Sequence, residues 1–342
     1  MREVAERAGV STSTVSHVIN GTRHVRRALA IRVQSAMVEL GYQPNAVARS
    51  LRRKETRTLG MVLPDSANPF FAALARAIED VCSARGYSLI LTNSAGDSDR
   101  EIRNVNVLLA RQVDGLIFVA ADLGNADLLR LLTTVPVVVM DRELAGSPLD
   151  SGPPEVDAVM IDNLAGGYTA TRHLIDLGHQ RIACVTGYSA TTPSGERVVG
   201  FRKALVEAGL PVHERLIVRG DFGFRTGYLA AQQLLSRNEP PTAIFACNDQ
   251  MAIGVIAAAV SLGVRVPEDL SVVGFDGIEL GAYTLPPLTT MAQPISRLGQ
   301  LAAELLLTRL SAPKSPVQRL VLTAELVIRK STAVPQRVLR KA

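Results

Sequence analysis

The sequence is poor in the residues that mark secreted, metal-binding and membrane-spanning proteins. Its 342 residues include no Trp, only eight Phe and only three Cys, which are Cys82, Cys184 and Cys247. The odd number of cysteines and the lack of any CxxC or paired His/Cys spacing argue against a disulfide framework and against a zinc site. No apolar run approaches the roughly 18 residues of a transmembrane helix. We therefore expect reduced, buried thiols, no bound metal and no membrane partner.

Further absences concern export, cofactors and catalysis. The N-terminus is charged from Arg2 onward and lacks the apolar core of a secretion signal, which predicts a cytoplasmic protein. The sequence has no GxGxxG motif and no phosphate-binding loop, so we predict no cofactor. No Ser/His/Asp or Cys/His arrangement indicates a nucleophilic catalytic site. His173, His179 and His213 fall at predicted helix ends or in loops, and we expect them at the surface.

Charge is distributed unevenly along the chain. Residues 1–57 contain 11 Lys and Arg against 4 Asp and Glu, whereas the remaining residues contain 26 against 28. The formal charge of +5 therefore originates in the N-terminal segment. A basic segment joined to a nearly neutral body is typical of a nucleic-acid-binding module linked to a second function, although many basic N-termini are only solvated.

The basic segment contains the pattern of two short helices joined by a turn. Val4, Ala5 and Ala8 form one apolar helix face, and Gly9 is expected to end that helix. Ser11 is a favourable N-cap for a second helix. Two short helices joined by a turn that contains Gly form a helix-turn-helix.

The second predicted helix has an apolar face and a polar face. Val15, Val18 and Ile19 form the apolar face, and the helix is expected to end at Asn20-Gly21. Small polar side chains that can hydrogen-bond base edges and phosphates in a major groove are Thr12, Ser13, Thr14, Ser16 and His17. A third helix is predicted from about residue 27 to 40, with core contacts from Ala28, Ile31, Val33, Met37 and Leu40. The alternative is a three-helix bundle that binds another protein.

The stretch VAERAGVSTSTVSHVIN, followed by GYQPNAVARSLRRKETRTLGMVLP, resembles the DNA-binding head and hinge of the lactose-repressor (LacI/GalR) family. The similarity continues to about residue 330. It implies that the recognition helix approaches bases, that Arg23 lies near the DNA backbone and that NAVARSL forms a hinge helix on operator DNA. The implied DNA-binding residues are Thr12, Ser13, Thr14, His17, Arg23, Asn45, Arg49, Ser50, Leu51 and Arg52.

The hinge combines an apolar side chain with basic neighbours. The resemblance places Leu51 in the minor groove at the centre of the operator, where an apolar wedge kinks the duplex. Arg49, Arg52 and Arg53 flank it and can bind phosphates. A flexible basic linker is the alternative, and the segment is expected to be disordered when free and helical when bound.

From Leu59 onward, short apolar runs alternate with helical stretches. The runs are LGMVL, YSLIL, GLIFV, PVVVM, AVMI, RIACV, AIFA and SVVGF. Continuous apolar strands that alternate with helices predict parallel sheets covered on both faces. Eight such strands fit two lobes better than one. The predicted fold class is α/β, with a helix-turn-helix head and a body of two doubly wound parallel-sheet lobes that resembles periplasmic sugar-binding proteins.

We expect four segments along the chain. They are a DNA-binding head at 1–43, a hinge at 44–57, an effector-binding and dimerisation body at 58–330 and a tail at 331–342, whose last residues, PQRVLRKA, are expected to be frayed. Within the body, one lobe is predicted at about 58–159 and 290–319, and the other at about 160–289 and 320–330. No leucine heptads follow residue 330, so the tetramerisation helix of the family is not expected.

Polar residues follow the predicted strands, and ligands of open α/β sheets lie beyond the carboxyl ends of strands. The residues in those positions are Asp65, Asn68, Phe70, Phe71, Asp141, Arg142, Glu196, Arg197, Asn248, Asp249 and Asp276. Singly, each is more often a loop cap than a ligand contact. Together, carboxylates, arginines and an amide with aromatic rings suit a small, uncharged polyhydroxylated molecule.

Phe70 and Phe71 are adjacent, so they cannot both lie at the centre of one buried helix stripe. Asn68 is a plausible N-cap and Pro69 fits the first helical turn. We expect both rings to face the cleft, with the core stripe of the helix beginning at Leu74. The alternative is that both rings pack between the helix and the sheet.

Within the family, the body is similar to the ribose-recognising branch. The resemblance matches ten ligand-binding positions, which are Asn68, Phe70, Phe71, Asp141, Arg142, Arg197, Phe222, Asn248, Asp276 and Gln293. It implies a transcription repressor that binds a pseudo-palindromic operator as a homodimer and is released by a small sugar, with D-ribose expected. The alternatives are a repressor of the same family that responds to a purine or another pentose, a periplasmic sugar-binding protein, and an enzyme that uses acid pairs such as Asp141 and Asp276.

Overall fold

A computed structural model of the chain describes residues 1–21, 23–42, 55–119, 126–141, 156–188 and 193–336. The chain divides into two compact units, Met1–Thr56 and Arg57–Ala342. Seven residues with predicted roles lie outside the described residues, so the structure leaves those predictions untested. They are Asn45, Arg49, Ser50, Leu51, Arg52 and Arg53 of the hinge, and Arg142 of the cleft.

The first unit contains three helices around a small apolar core. The helices are α1 (Arg2–Ala8), α2 (Thr12–Asn20) and α3 (Arg27–Glu39). Gly9 ends α1 with a left-handed φ of 60°, and the Ser11 hydroxyl accepts a hydrogen bond from the backbone N–H of Thr14 at 3.2 Å as the N-cap of α2. The predicted stop and start signals of the helix-turn-helix therefore operate where the sequence places them.

The third helix packs differently from the prediction. Val33 and Ala36 are its buried residues, and Met37 packs partly against the core. Ala28, Ile31 and Leu40, which we expected in the core, are exposed, Ile31 at 53% and Leu40 at 43%. The helix is short and its apolar residues are spread over more than one face, so composition alone did not identify the buried one.

The body contains two six-stranded sheets, each covered by helices. The first sheet has the strand order β11-β5-β4-β3-β1-β2, with every pairing parallel. Its strands are β1 (Thr58–Leu63), β2 (Ser88–Asn93), β3 (Gly115–Phe118), β4 (Val137–Met140), β5 (Asp157–Ile161) and β11 (Arg319–Leu322). The helices of this lobe are α4 (Pro69–Ala84), α5 (Ser98–Ala110), α6 (Ala126–Leu132) and α11 (Ile295–Ser311).

The second sheet has the order β12-β10-β9-β8-β6-β7 and is parallel except for the antiparallel pairing of β10 with β12. Its strands are β6 (Ile182–Thr186), β7 (Ile217–Arg219), β8 (Ala243–Ala246), β9 (Ser271–Asp276), β10 (Thr289–Ala292) and β12 (Glu325–Val327). The helices of this lobe are α7 (Asn163–Asp176), α8 (Pro193–Glu207), α9 (Phe224–Leu235) and α10 (Asp249–Ser261), with 3-10 turns at Glu214–Leu216 and Glu279–Ala282.

All eight apolar runs form strands in two doubly wound lobes, so the predicted fold class is confirmed. The chain passes between the lobes after β5, after β10 and after β11. All three passages lie a few residues beyond the predicted boundaries at 160, 290 and 320, because each boundary falls inside a strand that pairs wholly with one sheet. Gln293 lies directly after β10, in the second passage.

The segment that begins at Ser331 is part of the body, and the prediction of a tail from this residue is wrong. Ser331 is fully buried. Its hydroxyl donates to the carbonyl of Val272 at 2.6 Å and accepts from the backbone N–H of Thr289 at 2.8 Å. The segment therefore satisfies hydrogen-bonding groups near the amino ends of β9 and β10. A short segment without a helix or strand pattern carries no sequence signal for this role.

His179 holds the same segment and is 2% exposed, so its predicted surface position is wrong. Its Nδ1 lies 2.9 Å from the Thr242 hydroxyl, and its Nε2 lies 3.0 Å from both the Ser271 hydroxyl and the Ala333 carbonyl. Burial lowers the pKa of His179, the neighbouring His173 lowers it further, and the hydrogen bond to Ala333 opposes the shift. The folded protein therefore resists protonation of this ring.

The His179 site predicts a loss of stability in mild acid. Below pH about 6.5, the ordinary pKa of histidine, the unfolded chain binds a proton that the folded protein resists, so the free energy of unfolding falls as the pH falls. We expect His179→Gln to weaken this dependence, because glutamine keeps hydrogen-bonding groups but does not titrate. Denaturant unfolding at pH values from about 5 to 8 measures the effect. An identical pH dependence in both proteins would contradict the prediction.

Candidate functional site

One cavity of about 810 Å³ lies where the carboxyl ends of strands from both sheets meet. The nine predicted ligand-site residues that the structure describes all line it. They are Asn68, Phe70, Phe71, Asp141, Arg197, Phe222, Asn248, Asp276 and Gln293. These residues follow strands β1, β4, β6, β7, β8, β9 and β10 along the chain, so the expectation that strand ends converge on one crevice is met by the fold.

Arg197 is the central cation among the described residues of the cavity wall. It lies on α8, is 3% exposed and donates from Nε to Asn163 Oδ1 at 2.9 Å and from Nη1 to the Cys247 carbonyl at 2.5 Å. Nη1 also lies 3.6 Å from Asp276 Oδ1, and the guanidinium is 3.6 Å from the centre of the Phe275 ring. These contacts fix its position before any ligand binds.

Asp276 and Gln293 form the second fixed part of the wall. Gln293 Nε2 donates to Asp276 Oδ1 at 2.9 Å, and the backbone N–H of Gln293 donates to the Asp276 carbonyl at 3.0 Å. Burial raises the pKa of the Asp276 carboxyl well above its usual range, while Arg197 and Gln293 oppose that rise. Gln293 Oε1 is buried and has no hydrogen-bond partner among the described residues, which makes it an acceptor available to a ligand hydroxyl.

Two of the three asparagines that line the cavity, Asn68 and Asn248, are also helix caps. Asn68 Oδ1 accepts from the backbone N–H of Phe70 at 3.0 Å at the start of α4. Asn248 Oδ1 accepts from the backbone N–H of Met251 at 2.9 Å at the start of α10, while its Nδ2 donates to the Phe222 carbonyl at 2.9 Å. Capping fixes both oxygens and leaves the amide nitrogens as the groups that face other partners.

Aromatic rings stand on both sides of the cavity in two edge-to-face pairs. Phe70 and Phe71 have ring centres 5.1 Å apart, and Tyr188 and Phe222 have ring centres 6.2 Å apart. Phe70 is buried and also belongs to the core of its lobe, whereas Phe71 is partly exposed. Both phenylalanines line the cavity as predicted, but Phe70 also packs between helix and sheet, so the alternative holds for that ring in part.

Several cavity residues have a strained backbone. Among the described non-glycine residues, six have positive φ, and four of these line the cavity. They are Ala95 at 54°, Asp141 at 64°, Phe222 at 68° and Asp276 at 108°. Left-handed residues with a side chain persist only where the surroundings hold them, and they are concentrated at binding sites.

The structure also places residues in the cavity that were absent from the predicted ligand set. These are Pro64, Asp65, Asn93, Ala95, Gly96, Tyr188, Pro193, Asp221, Gly223 and Gln250. Asp65 had been recognised at a strand end, but the others had not. Gln250 is 9% exposed and lies two residues after Asn248 on the first turn of α10. Residues two apart on a helix do not share a face, so spacing from Asn248 carried no signal for it.

Glu196 and Asp249 do not line the cavity, which corrects their predicted places in the crevice. Glu196 is exposed on α8, where it precedes Arg197, and adjacent helix residues point in different directions. Asp249 follows Asn248 in the chain. Its side chain is fully buried behind the wall, where it accepts hydrogen bonds from Thr290, Gly277 and Ile278. Burial raises its pKa to about 7, and the three hydrogen bonds together with Arg329 oppose the rise. Adjacent residues at a helix start point in different directions, and the sequence alone did not show which of the two faces the ligand.

The polar side of α2 is accessible in the first unit. Thr12, Ser13 and Arg23 are exposed, while Thr14 and His17 are half-buried. The Thr14 hydroxyl lies 2.9 Å from the Ser11 hydroxyl, so Thr14 contributes to the helix cap as well as to the surface. The exposed end of the second helix of a helix-turn-helix is the part that enters a major groove.

The described part of the chain contains neither a cluster of metal-binding side chains nor a membrane-spanning helix. No group of three or more His, Cys, Asp or Glu side chains in that part of the chain could hold a metal ion. No helix there is both long enough and apolar enough to span a bilayer.

Two family models match the chain at its two ends. The model for bacterial regulatory proteins of the lacI family matches residues 1–45, and the model for the periplasmic binding protein-like domain matches residues 171–332. Among curated proteins, the ribose operon repressor of Escherichia coli K12 is 44% identical over 333 residues, covering 97% of this chain and 99% of the relative. The repressor PurR of Photobacterium profundum is 42% identical over 335 residues, covering 97% and 98%.

Solved structures of lacI-family regulators are similar to most of this chain. The lac repressor dimer bound to operator and the anti-inducer ONPF has a TM-score of 0.84 at 31% identity and covers 96% of this chain and 98% of its own. A LacI family regulator from Enterococcus faecium with bound ribose has a TM-score of 0.73 at 33% identity and covers 82% and 100%. Together with the full-length relatives, these matches show that the chain belongs to the lacI family of bacterial regulatory proteins and is a DNA-binding transcriptional repressor with a periplasmic-binding-protein-like body.

Proposed function

We propose that this repressor binds a palindromic operator as a homodimer and is released from it by D-ribose, which controls genes for sugar uptake or catabolism. The observation that carries the proposal is the cavity, in which nine residues matched to the ribose-recognising branch meet. Relatives named for the ribose operon and a regulator with bound ribose support the same effector. The tenth matched position, Arg142, lies outside the described residues.

The chemistry of the wall fits a neutral, polyhydroxylated ligand. Asp141, Asp276 and Gln293 Oε1 offer acceptors for hydroxyl hydrogens, and Arg197 with the Asn68 amide offers donors. The edge-to-face pairs on the two sides supply apolar surface for the carbon faces of a sugar ring. Binding between the lobes would stabilise one relative arrangement of them, and any effect on DNA affinity must equal the reciprocal effect of DNA on sugar affinity.

The head supplies the DNA-binding side of the proposal. Thr12, Ser13, Thr14 and His17 on α2 would contact base edges, and Arg23 would contact phosphate. The hinge residues Asn45, Arg49, Ser50, Leu51 and Arg52 would bind at the operator centre, as the family resemblance implies. Two heads related by a two-fold axis would recognise the two halves of a palindrome.

A homodimer is supported by the repressor dimer among the similar structures and by apolar surface on the body. Tyr283 is 74% exposed and Leu285 is 85% exposed, two residues apart in the segment before β10. Contiguous apolar surface marks protein contact sites, and a dimer contact at this segment would cover both side chains. The proposal places the protein in the bacterial cytoplasm, associated with the nucleoid, and gives it no catalytic role.

A purine effector is the second candidate, because PurR is 42% identical over nearly the full chain. The cavity offers carboxylates at Asp141 and Asp276 and an Asp276–Arg197 contact of 3.6 Å. A carboxylate can accept from a purine N–H, and an arginine can donate to a purine carbonyl or ring nitrogen, so these groups can also hold a purine. The test below therefore includes a purine as a competing ligand.

Isothermal titration calorimetry of the full chain with D-ribose, hypoxanthine and xylose tests the effector. We expect binding of D-ribose that is lost in Asp276→Ala and retained in Asp157→Ala, which removes a buried aspartate of the first lobe that does not line the cavity. Binding of hypoxanthine instead would establish the purine alternative. Recovery of the sugar unchanged after incubation would distinguish a sensor from an enzyme.

The operator side is tested with DNA fragments that the full chain selects from a random-sequence pool. We expect the selected fragments to be palindromic and D-ribose to weaken their binding by roughly 5- to 150-fold, the range of typical allosteric coupling. Tighter DNA binding in the presence of ribose would reverse the proposed sign, and no change would refute the coupling.

A further inference from the structure

We propose that Asp249 is a positioning residue for the effector site, holding together the three strand ends that carry Asn248, Asp276 and Gln293. The inference rests on the proposed function, since it concerns the affinity of the same cavity for a sugar. Asp249 itself does not line the cavity. Its role is therefore to act through residues that do.

The Asp249 carboxylate makes three hydrogen bonds that reach two other strands. Its Oδ2 accepts from the backbone N–H groups of Gly277 and Ile278, each at 2.8 Å. Its Oδ1 accepts from the Thr290 hydroxyl at 2.5 Å. The residue is 0% exposed, so these bonds are shielded from bulk solvent.

Asp249, Gly277 and Thr290 are each close in sequence to a cavity residue. Asp249 directly follows Asn248 at the end of β8, and Gly277 directly follows Asp276 at the end of β9. Thr290 lies on β10, three residues before Gln293. A single carboxylate therefore links the ends of three neighbouring strands in the order β8-β9-β10.

The turn that Asp249 holds is the strained part of the wall. Asp276 has φ 108° and Gly277 has φ 76°, so two consecutive residues are left-handed. For a residue with a side chain, this conformation persists only when surrounding contacts determine it. The hydrogen bonds that Gly277 and Ile278 donate to Asp249 are contacts of this kind, because they hold the backbone directly after Asp276.

The fold leaves a space for this carboxylate. A Cβ added to Gly274 on β9 would lie 2.2 Å from Asp249 Oδ1, which is closer than any real contact. The glycine is required here by the close approach of the carboxylate to the strand. Gly274→Ala therefore offers an independent way of displacing Asp249 without removing it.

The test compares D-ribose affinity with stability in matched variants of the full chain. We expect Asp249→Ala to raise the Kd on the order of tenfold, within the range of coupling between residues in contact. Asp157→Ala, which removes an equally buried aspartate far from the cavity, should lower stability but change the Kd by less than about twofold. Asp249→Asn should restore most of the affinity, because its Oδ1 can accept from both backbone N–H groups.

Two further measurements cover the cases in which Asp249→Ala does not fold or the wild type does not bind D-ribose. Should Asp249→Ala fail to fold, Thr290→Val removes one of the three bonds, and we expect a smaller but measurable rise in Kd. A Kd unchanged in every folded variant would overturn the inference. Should the wild type not bind D-ribose, the proposed effector would be wrong, and amide hydrogen exchange at Gly277 and Ile278 in the unliganded protein would decide the positioning role. Faster exchange in Asp249→Ala would support that role, and unchanged exchange would refute it.

Discussion

Arg197→Ala is expected to abolish D-ribose binding and to lower the free energy of unfolding by about 3–5 kcal/mol, the cost of breaking a buried ion pair from one side. Arg197 is 3% exposed. Its guanidinium donates hydrogen bonds to Asn163 and the Cys247 carbonyl and forms an ion pair with Asp276. Its loss would leave the buried Asp276 carboxyl without its cation and Asn163 Oδ1 without its donor. The wall would therefore lose both a ligand donor and the group that keeps a ligand acceptor in place.

Arg197→Lys should not rescue binding. A lysine has a single ammonium group and lacks the planar fork that allows Arg197 to donate from Nε and Nη1 in two directions. Titration calorimetry with D-ribose and denaturant unfolding measure the two effects separately.

The matched control for this prediction is Arg309→Ala. Arg309 bonds with buried Asp157 through Nε at 2.9 Å and through Nη2 at 3.0 Å, in the first lobe and away from the cavity. Its removal should destabilise the protein through the same mechanism but preserve sugar affinity. Sugar binding that survives in Arg197→Ala, or that is lost equally in Arg309→Ala, would contradict the assignment of Arg197 to the site.

Continuous apolar runs predicted eight strands because a strand buried on both faces needs apolar residues throughout. Four strands lacked this signal. β7 has only three residues, β10 begins with two threonines, and β11 and β12 carry charged residues at Arg319 and Glu325. Their strand character depends on partners far away in the chain, as in the pairing of β11 with β5, and local pattern does not contain that information.

The site was predictable to the extent that strand ends and family motifs specify it. Residues such as Asp141 and Asp276 follow strands directly, and their convergence is a consequence of parallel topology. Tyr188 and Gln250 were missed because a side chain a few residues beyond a strand faces the cavity only if the following turn directs it there. Asp249 was misplaced for the same reason. At the start of α10, Asn248 faces the cavity, whereas Asp249 points behind its wall.

Gly200→Ala is expected to lower the stability of the second lobe strongly, because the added methyl group has no space. A Cβ at Gly200 on α8 would lie 2.2 Å from the Leu164 carbonyl oxygen and 2.5 Å from the Tyr168 backbone nitrogen of α7. Both are backbone atoms, which cannot rotate away as a side chain can. Relief therefore requires the two helices to separate, and we expect a loss of about 3 kcal/mol or more.

The same change should weaken sugar binding, because α8 carries Arg197. Moving the helix away from α7 would lengthen the bond from Arg197 Nε to Asn163, which lies on α7, and shift the guanidinium from Asp276. Gly167→Ala should act in the same way from the opposite helix, since its Cβ would lie 2.2 Å from the Arg197 carbonyl oxygen. Loss of stability and loss of affinity are therefore expected together in both variants.

Gly209→Ala separates this steric effect from the general cost of replacing a glycine. Gly209 lies just beyond α8, has φ 68° and has no atom within 4 Å of an added Cβ. Its replacement should cost only about 1 kcal/mol through the left-handed backbone and should leave the Kd for D-ribose unchanged. If Gly200→Ala proved no more destabilising than Gly209→Ala in denaturant unfolding, close helix contact could not be what holds Arg197 in the wall, and its hydrogen bonds alone would have to do so.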